Sequence, residues 1–158
     1  MGYTHYWEQP KTIPQETWNN KVMPAVDMLI QEFMVEGLKL GDGFGAYTED
    51  KLVTENTICF NGSEECNEAY ETFRVERETD SRSPEGFNCC KTQYRPYDKL
   101  VVAVLMTVTA IVDDKSVFNW YSDGSVAEGN FDAACRLICK TLGEDFNNLA
   151  TVIATQKT

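Results

Sequence analysis

His5 is the only histidine of the chain, and it decides which kinds of catalysis the sequence can support. Ser-His-Asp and Cys-His schemes of nucleophilic attack need an imidazole as general base, so each of them would have to use this one ring. The sequence therefore argues against a hydrolase triad. An enzyme that pairs His5 with Asp98 or Asp123 as acid and base is a weaker alternative, because it requires residues far apart in the chain to meet in space.

The residues around His5 predict an N-terminal strand. In an extended segment, Tyr3, His5 and Trp7 would point to one side and Thr4 and Tyr6 to the other, because successive side chains of a strand alternate between the two faces. We expect the aromatic side chains to pack on a sheet, with the imidazole hydrogen-bonded. The alternative interpretation places Tyr3 and His5 at a ligand site.

A compact basic spot precedes a predicted helix start at Pro96. Its side chains are two cations, two phenols and a hydroxyl group: Lys91, Arg95, Tyr94, Tyr97 and Thr92. The free backbone N–H groups at a helix N-terminus attract anions, so this segment predicts an anion site. The alternative interpretation is an ordinary helix cap with Arg95 paired to a nearby acid.

The six cysteines do not predict a metal site. Cys135 and Cys139 are four residues apart, but they lie on the apolar stripe of a predicted helix, where a free cysteine behaves as a small hydrophobic residue. Cys89 and Cys90 are adjacent, and the chain has no Cys-x-x-Cys pair, so we predict neither a structural zinc ion nor another cofactor. Because the first residues lack a basic start followed by an apolar run, we expect reduced thiols and a cytoplasmic location.

The net charge and the hydropathy of the chain limit the classes of partner that it is expected to bind. The chain of 158 residues carries 14 Lys and Arg against 25 Asp and Glu, a formal net charge of −11, so direct nucleic-acid binding is not expected. Eleven of the acids and four of the bases lie between Glu49 and Glu85. This acidic section is interpreted either as a solvated face or as a surface that imitates a phosphate backbone and inhibits a host DNA-binding or defence protein. The longest apolar run, Leu100 to Val112, is too short to cross a membrane.

Hydrophobic periodicity and turn residues predict the elements that would position these side chains. Helices are predicted over Gln15–Val35, Pro96–Val112 and Phe131–Gly143, with a short last helix between Glu144 and Thr158. Strands are predicted over Thr57–Phe60, Thr72–Glu76, Phe87–Thr92 and Ser116–Ser122, and turns at Gly41–Gly45, Thr79–Gly86 and Asp123-Gly124. This order predicts one α+β domain over residues 1–158, with a small, mainly antiparallel sheet covered by two or three helices.

Several short motifs resemble a family of small uncharacterised proteins encoded by phages. The motifs are Met1 to Trp7, Phe60-Asn61-Gly62, Glu71 to Phe73, Phe87 to Asp98, and Ser122-Asp123-Gly124. The opening heptapeptide and the stretch Lys-Thr-x-x-Arg-Pro-Tyr-Asp are the most specific of them. The resemblance implies a viral origin and the cytoplasm of a host cell, and it implies no particular chemistry.

The leading functional hypothesis is a protein without catalysis of its own that binds a small anionic, nucleotide-like ligand. Charge would come from Lys91 and Arg95, hydrogen bonds from Thr92 and Asn61, and stacking from Tyr3, His5 or Tyr97, with Asp123 lining the same cavity. The hypothesis requires these distant polar fragments to fold together into one cationic recess.

Overall fold

The computed structural model describes residues 3–79, 87–112, 118–123 and 130–155. Within them, the strands are Thr4–Glu8 (β1), Leu40–Gly41 (β2), Thr57–Gly62 (β3), Phe73–Glu76 (β4), Phe87–Lys91 (β5) and Asn119–Ser122 (β6). The α-helices are Gln15–Thr17 (α1), Met23–Val35 (α2), Asp98–Val112 (α3), Phe131–Leu142 (α4) and Glu144–Thr155 (α5), and a π-helical turn, Trp18–Val22, joins α1 to α2. The predicted α+β class is confirmed.

The strands of the described residues form two antiparallel sheets of three strands each. One has the order β5-β1-β6 and the other the order β2-β3-β4. Both edges of β1 are paired, one with β5 and the other with β6. The hairpin of β3 and β4 therefore forms a separate sheet with the short strand β2. The sequence analysis predicted one sheet and did not predict β2, which is only two residues long.

The first helical segment follows the predicted bounds. α1, the π-helical turn and α2 together run from Gln15 to Val35. Pro24 lies in the first turn of α2, directly after the π-helical turn, where its missing N–H group costs little. Gly37 follows the helix with a φ of 87°, a left-handed conformation that glycine adopts without a steric penalty.

α3 is the central helix of the fold. Every residue from Leu100 to Ala110 is buried, and the helix packs against α2, α4 and α5. Its many β-branched residues favour strands, but the length of the apolar run predicts a helix, and the structure has one. A helix that is buried on all sides depends on packing more than on intrinsic propensity. α3 begins at Asp98, two residues after Pro96, because Arg95–Asp98 first forms a turn closed by the Asp98 N–H and the Arg95 carbonyl.

The central strand β1 positions the imidazole. Tyr3, His5 and Trp7 are buried, whereas Thr4 and Tyr6 are partly exposed, so the predicted alternation is confirmed. His5 lies opposite Cys90 of β5 and opposite Ser122 of β6. The register of this sheet therefore places the side chain of Ser122 on the same face as the imidazole.

Parts of some predicted elements lie outside the described residues: the turn from residue 80 to Gly86, the start of the strand predicted at Ser116, Gly124, and the last three residues of the chain. In the part of the chain that the structure describes, no helix is both long enough and apolar enough to span a membrane.

Candidate functional site

A buried chain of hydrogen bonds joins three side chains from three elements. His5 Nε2 lies 2.5 Å from Asp98 Oδ1, across 93 residues of sequence. The other ring nitrogen, Nδ1, lies 2.5 Å from the hydroxyl oxygen of Ser122. The imidazole and the carboxyl group are fully buried, and Ser122 is partly exposed. The chain of bonds therefore runs from the interior of the protein towards its surface.

Asp98 is held by two further donors. Thr92 Oγ1 donates to the same carboxylate oxygen as His5, and Asn130 Nδ2 donates to the second oxygen at 2.8 Å. Burial alone would raise the pKa of Asp98, but the hydrogen bond and charge of His5, with the hydrogen bonds of Thr92 and Asn130, outweigh it and lower that pKa below its ordinary value. The carboxyl group is therefore ionised at neutral pH.

The ionised carboxylate fixes the tautomer of the imidazole. An aspartate carboxylate only accepts hydrogen bonds, so Nε2 carries the proton that is donated to Asp98. In the neutral ring Nδ1 then has a free lone pair, and it accepts the hydroxyl proton of Ser122. Hydroxyl group, imidazole and carboxylate thus stand in the order of a nucleophile, a general base and a group that orients the base.

Tyr3 completes this side of the site. Its ring meets the imidazole edge-on, with the ring centroids 4.9 Å apart and the planes at 88°. Burial and the charge of Asp98 raise the pKa of Tyr3 to about 12, so the phenol stays protonated and remains a donor at neutral pH.

An exposed aromatic ring covers Tyr3. Tyr94 stacks on it with a centroid distance of 4.1 Å and an interplanar angle of 18°, while 52% of Tyr94 stays exposed. Gln93 and Tyr94 both have positive φ angles, 50° and 58°. Two successive non-glycine residues in the left-handed region are strained, at about 1–2 kcal/mol each. The backbone is held in this conformation by the Thr92 and Gln93 N–H groups, which both donate to the carbonyl oxygen of Tyr3.

A second group of the predicted residues contacts the protein's own chain at residues 63–71, which we call the 63–71 segment. Asn61 is buried, and its side-chain amide donates to the Tyr70 carbonyl and accepts from the Tyr70 N–H, both at 3.0 Å. The ammonium group of Lys91 lies over the Tyr70 ring at 5.8 Å from its centroid. The Lys91 backbone N–H donates to a carboxylate oxygen of Glu71 at 2.7 Å.

The other two members of this group bind carbonyl oxygens of the same segment. Arg95 Nη1 donates to the Asn67 carbonyl at 3.0 Å, and the buried Tyr97 hydroxyl donates to the Glu71 carbonyl at 2.6 Å. Burial is the main cause that raises the pKa of Tyr97 above its ordinary value. Contacts with the 63–71 segment therefore occupy side chains that the sequence analysis assigned to an anionic ligand.

Asp123 lies at the end of β6, next to Ser122. It is exposed, and its backbone N–H donates to the Thr4 carbonyl at 2.9 Å. Its charge contributes to raising the pKa of Tyr3 and, together with a hydrogen bond, the pKa of Tyr6. A carboxylate therefore stands beside the partly exposed serine.

The predicted site residues thus fall into two neighbouring groups. The structure brings together Tyr3, His5 and Thr92 around Asp98, with Asp123 nearby, and it places Asn61, Lys91, Arg95 and Tyr97 against the 63–71 segment. Ser122 and Asn130 were missed as site residues. The available signal for Ser122 was its place at the end of a predicted strand, but only the pairing register of β1 and β6 shows that it faces His5.

Neither a cluster of metal ligands nor a comparison with known proteins assigns a function to this site. Among the residues that the structure describes, no group of three or more His, Cys, Asp and Glu side chains is arranged to hold a metal ion. A comparison with protein-family models, curated proteins and solved structures finds no match to this chain. The resemblance to phage proteins therefore stays a prediction.

Proposed function

We propose that Ser122, His5 and Asp98 form a nucleophilic centre for acyl transfer, with hydrolysis of an ester as the simplest reaction. The observation that carries the proposal is the order of the hydrogen bonds, in which His5 contacts Ser122 through one nitrogen and Asp98 through the other, both at 2.5 Å. The sequence analysis paired His5 with Asp98 only as acid and base, in its weaker alternative, and argued against a hydrolase triad. The proposal adds the nucleophile.

The reaction would proceed in two halves. His5 Nδ1 takes the hydroxyl proton of Ser122 while Oγ bonds to the carbonyl carbon of the ester. The imidazolium then gives this proton to the leaving oxygen as the carbon–oxygen bond breaks, so the alcohol departs and the acyl group stays on Ser122. In the second half, His5 takes a proton from water, the water oxygen bonds to the acyl carbon, and the proton returns to Oγ as the acid departs.

The surroundings suit these steps. The imidazolium that forms in each half is stabilised by the ionised Asp98, which is buried and therefore poorly screened by solvent. Thr92 and Asn130 hold the carboxylate in place through hydrogen bonds to its two oxygens. The ring of Tyr3 packs edge-on against the imidazole, with the centroids 4.9 Å apart, and helps to hold the base in its orientation.

A fluorophosphonate probe tests the proposal directly. Attack by Ser122 forms an Oγ–P bond and expels fluoride together with the serine proton, which leaves a stable adduct. We expect one adduct per chain by intact mass spectrometry, located on Ser122 by peptide mapping. Ser122→Ala should abolish the adduct, and Asp98→Asn should slow its formation by a factor on the order of 10³ or more, since the comparable change in a serine protease costs about 10⁴ in kcat.

Ser63→Ala is the matched control, because Ser63 is a buried serine whose hydroxyl oxygen accepts a hydrogen bond from the Cys66 N–H. It should label at the rate of the unmodified protein. Folding of each variant is checked by circular dichroism. A folded protein that gains no adduct at Ser122, or gains it equally fast with Asp98→Asn, contradicts the proposal.

The other functional predictions stay predictions. For a small anionic ligand, the test is a thermal-shift panel of nucleotides on the unmodified protein and on Lys91→Ala and Arg95→Ala, the two cations that contact the 63–71 segment. For an acidic surface that inhibits a host protein, the test is capture of a partner at low salt that is lost at high salt. The viral origin and the cytoplasmic location are proposals that rest on the sequence motifs.

A further inference from the structure

We infer that the exposed face of Tyr94 is a subsite that binds a planar aromatic group of the substrate of the Ser122 centre. This inference rests on the proposed function, since it names the class of substrate. Its basis is the juxtaposition of three features: an exposed ring, a strained backbone that presents the ring, and ring contacts that lead through Tyr3 to His5, the proposed base.

The exposure of Tyr94 is the first observation. Its ring covers Tyr3, which is only 4% exposed, yet 52% of Tyr94 itself remains in contact with solvent. One face of the ring packs on Tyr3, so the other face is open to a partner. Aromatic rings stack in offset arrangements on such a face, and a stacked pair contributes about 0.5–1.5 kcal/mol beyond the area that it buries.

The backbone is the second observation. Gln93 and Tyr94 both lie in the left-handed region, and the hydrogen bonds to the Tyr3 carbonyl and from the Arg95 N–H to the Thr92 carbonyl hold the turn in that conformation. Strain of this kind persists only where the surrounding structure enforces it, and it concentrates at ligand sites. Here the conformation holds a half-exposed aromatic ring at the surface above Tyr3.

The connection to His5 is the third observation and sets the length of the substrate. A ring on the open face of Tyr94 would lie two stacking distances from Tyr3, whose ring meets the imidazole edge-on at 4.9 Å. Its centre would be on the order of 10 Å from the imidazole. The substrate class is therefore an ester whose aromatic group is separated from the reacting carbonyl by a spacer of several single bonds.

Two fluorophosphonate probes test this prediction. One carries a phenylhexyl tail, and the other carries an alkyl tail of similar length and hydrophobicity. We expect the aryl probe to label Ser122 about 2- to 10-fold faster than the alkyl probe, the factor that corresponds to one stacked pair. Tyr94→Ala should remove this preference. Tyr94→Phe, which keeps the ring, should retain the preference.

Tyr47→Ala is the control for the loss of an exposed tyrosine, because Tyr47 is 78% exposed and lines a different cavity, together with Ile30 and Met34 of α2. It should leave both rates unchanged. An equal aryl preference in Tyr94→Ala and in the unmodified protein overturns the subsite while leaving the proposed function intact. Failure of both probes to label Ser122 overturns the proposed function.

A binding measurement tests the subsite without any covalent step. Titration with 6-phenylhexan-1-ol, followed by NMR, should shift the ring signals of Tyr94 and Tyr3 saturably, and Tyr94→Ala should abolish the saturable shifts at Tyr3. Absence of a saturable shift at the Tyr94 ring overturns the subsite, whatever the labelling experiment gives.

Discussion

Asp98 and His5 form a hydrogen-bonded pair in which neither side chain has any exposed surface, although 93 residues of sequence separate them. The contact joins the first turn of the central helix α3 to the second residue of the central strand β1. A hydrogen bond to a charged group contributes about 1.5–3 kcal/mol to stability. This geometry makes the pair a structural element as well as the proposed catalytic one.

Asp98→Asn should therefore lower the free energy of unfolding by about 2 kcal/mol at pH 7, because the hydrogen bonds from His5 and Thr92 lose their charged acceptor. The pKa of Asp98 is lowered in the folded protein, so its ionisation stabilises the fold at pH values above the ordinary aspartate range. That contribution is lost as the pH falls through the lowered native pKa. Urea unfolding from pH 7 to pH 2 should show the difference between the two proteins shrinking at the acid end.

Asp132→Asn supplies the comparison for this pH series. Asp132 is an exposed acid in the first turn of α4, so its change should cost well under 1 kcal/mol. A difference between Asp98→Asn and the unmodified protein that stays constant over the whole pH range would show that the lowered pKa of Asp98 is not linked to folding.

The local sequence pattern was sufficient to predict the strand and the helix that carry His5 and Asp98. Alternation in Tyr3 to Trp7 predicted which side of β1 is buried, and the length of the apolar run predicted a helix at α3 against the preference of its valines and threonines. Both predictions depend on neighbours in sequence. The period of the side chains is enough to make them, because a strand repeats every two residues and a helix every 3.6.

The site itself could not be predicted because it depends on register. Ser122 and His5 meet only because β6 pairs with β1 in one alignment, and a shift by one residue would turn the serine to the other face. The contacts of Lys91 and Arg95 within the chain could not be predicted for a related reason. A cation near a helix start attracts any acceptor, and here residues of the 63–71 segment lie within reach.

Gly62 should tolerate no side chain. A Cβ atom at this position would lie 2.1 Å from the Glu68 carbonyl oxygen and 3.0 Å from the Tyr97 ring, so Gly62→Ala must displace the 63–71 segment. We expect a loss of roughly 3 kcal/mol of stability, at the upper end of overpacking changes. Limited proteolysis should detect faster cleavage between residues 63 and 71.

Gly37→Ala separates this clash from backbone strain. Gly37 has a φ of 87°, but a Cβ atom there would meet nothing within 4 Å, so the cost is conformational only, about 1 kcal/mol. The melting temperature of Gly62→Ala, measured by thermal unfolding, should therefore be well below that of Gly37→Ala. Equal melting temperatures for the two variants would show that the 63–71 segment does not pack tightly on Gly62.

Tyr97→Phe should change how stability depends on alkaline pH. Burial raises the pKa of Tyr97 in the folded protein, so above pH 10 the unfolded chain loses the phenolic proton while the native state keeps it. The tyrosine's contribution is therefore complete below pH 10 and is lost as the pH rises. At pH 8 the variant should be less stable by about 1 kcal/mol, because the Glu71 carbonyl loses its hydrogen bond from Tyr97.

Chemical denaturation between pH 8 and pH 11 measures this effect. The stability difference between the unmodified protein and Tyr97→Phe should shrink towards the alkaline end by up to about 1.4 kcal/mol per pH unit. Tyr47→Phe, at an exposed position, should follow the unmodified protein throughout. A difference that does not change with pH would contradict the raised pKa of Tyr97.

Thr107→Val should stabilise the protein. The Thr107 side chain lies in the middle of α3 with no exposed surface, and its hydroxyl oxygen has no hydrogen-bond partner among the described residues. Valine has nearly the same shape without the polar group, so the change removes a buried hydroxyl that folding leaves unpaired. We expect a gain of about 1 kcal/mol in the free energy of unfolding.

Thr109 on the same helix provides the control, because it is equally buried but its hydroxyl donates to the Leu105 carbonyl at 2.6 Å. Thr109→Val removes a bond that exists, so it should be neutral or destabilising by up to about 1 kcal/mol. Urea unfolding of both variants beside the unmodified protein gives the comparison. If Thr107→Val loses as much stability as Thr109→Val, the hydroxyl of Thr107 has a partner in solution and its burial carries no penalty.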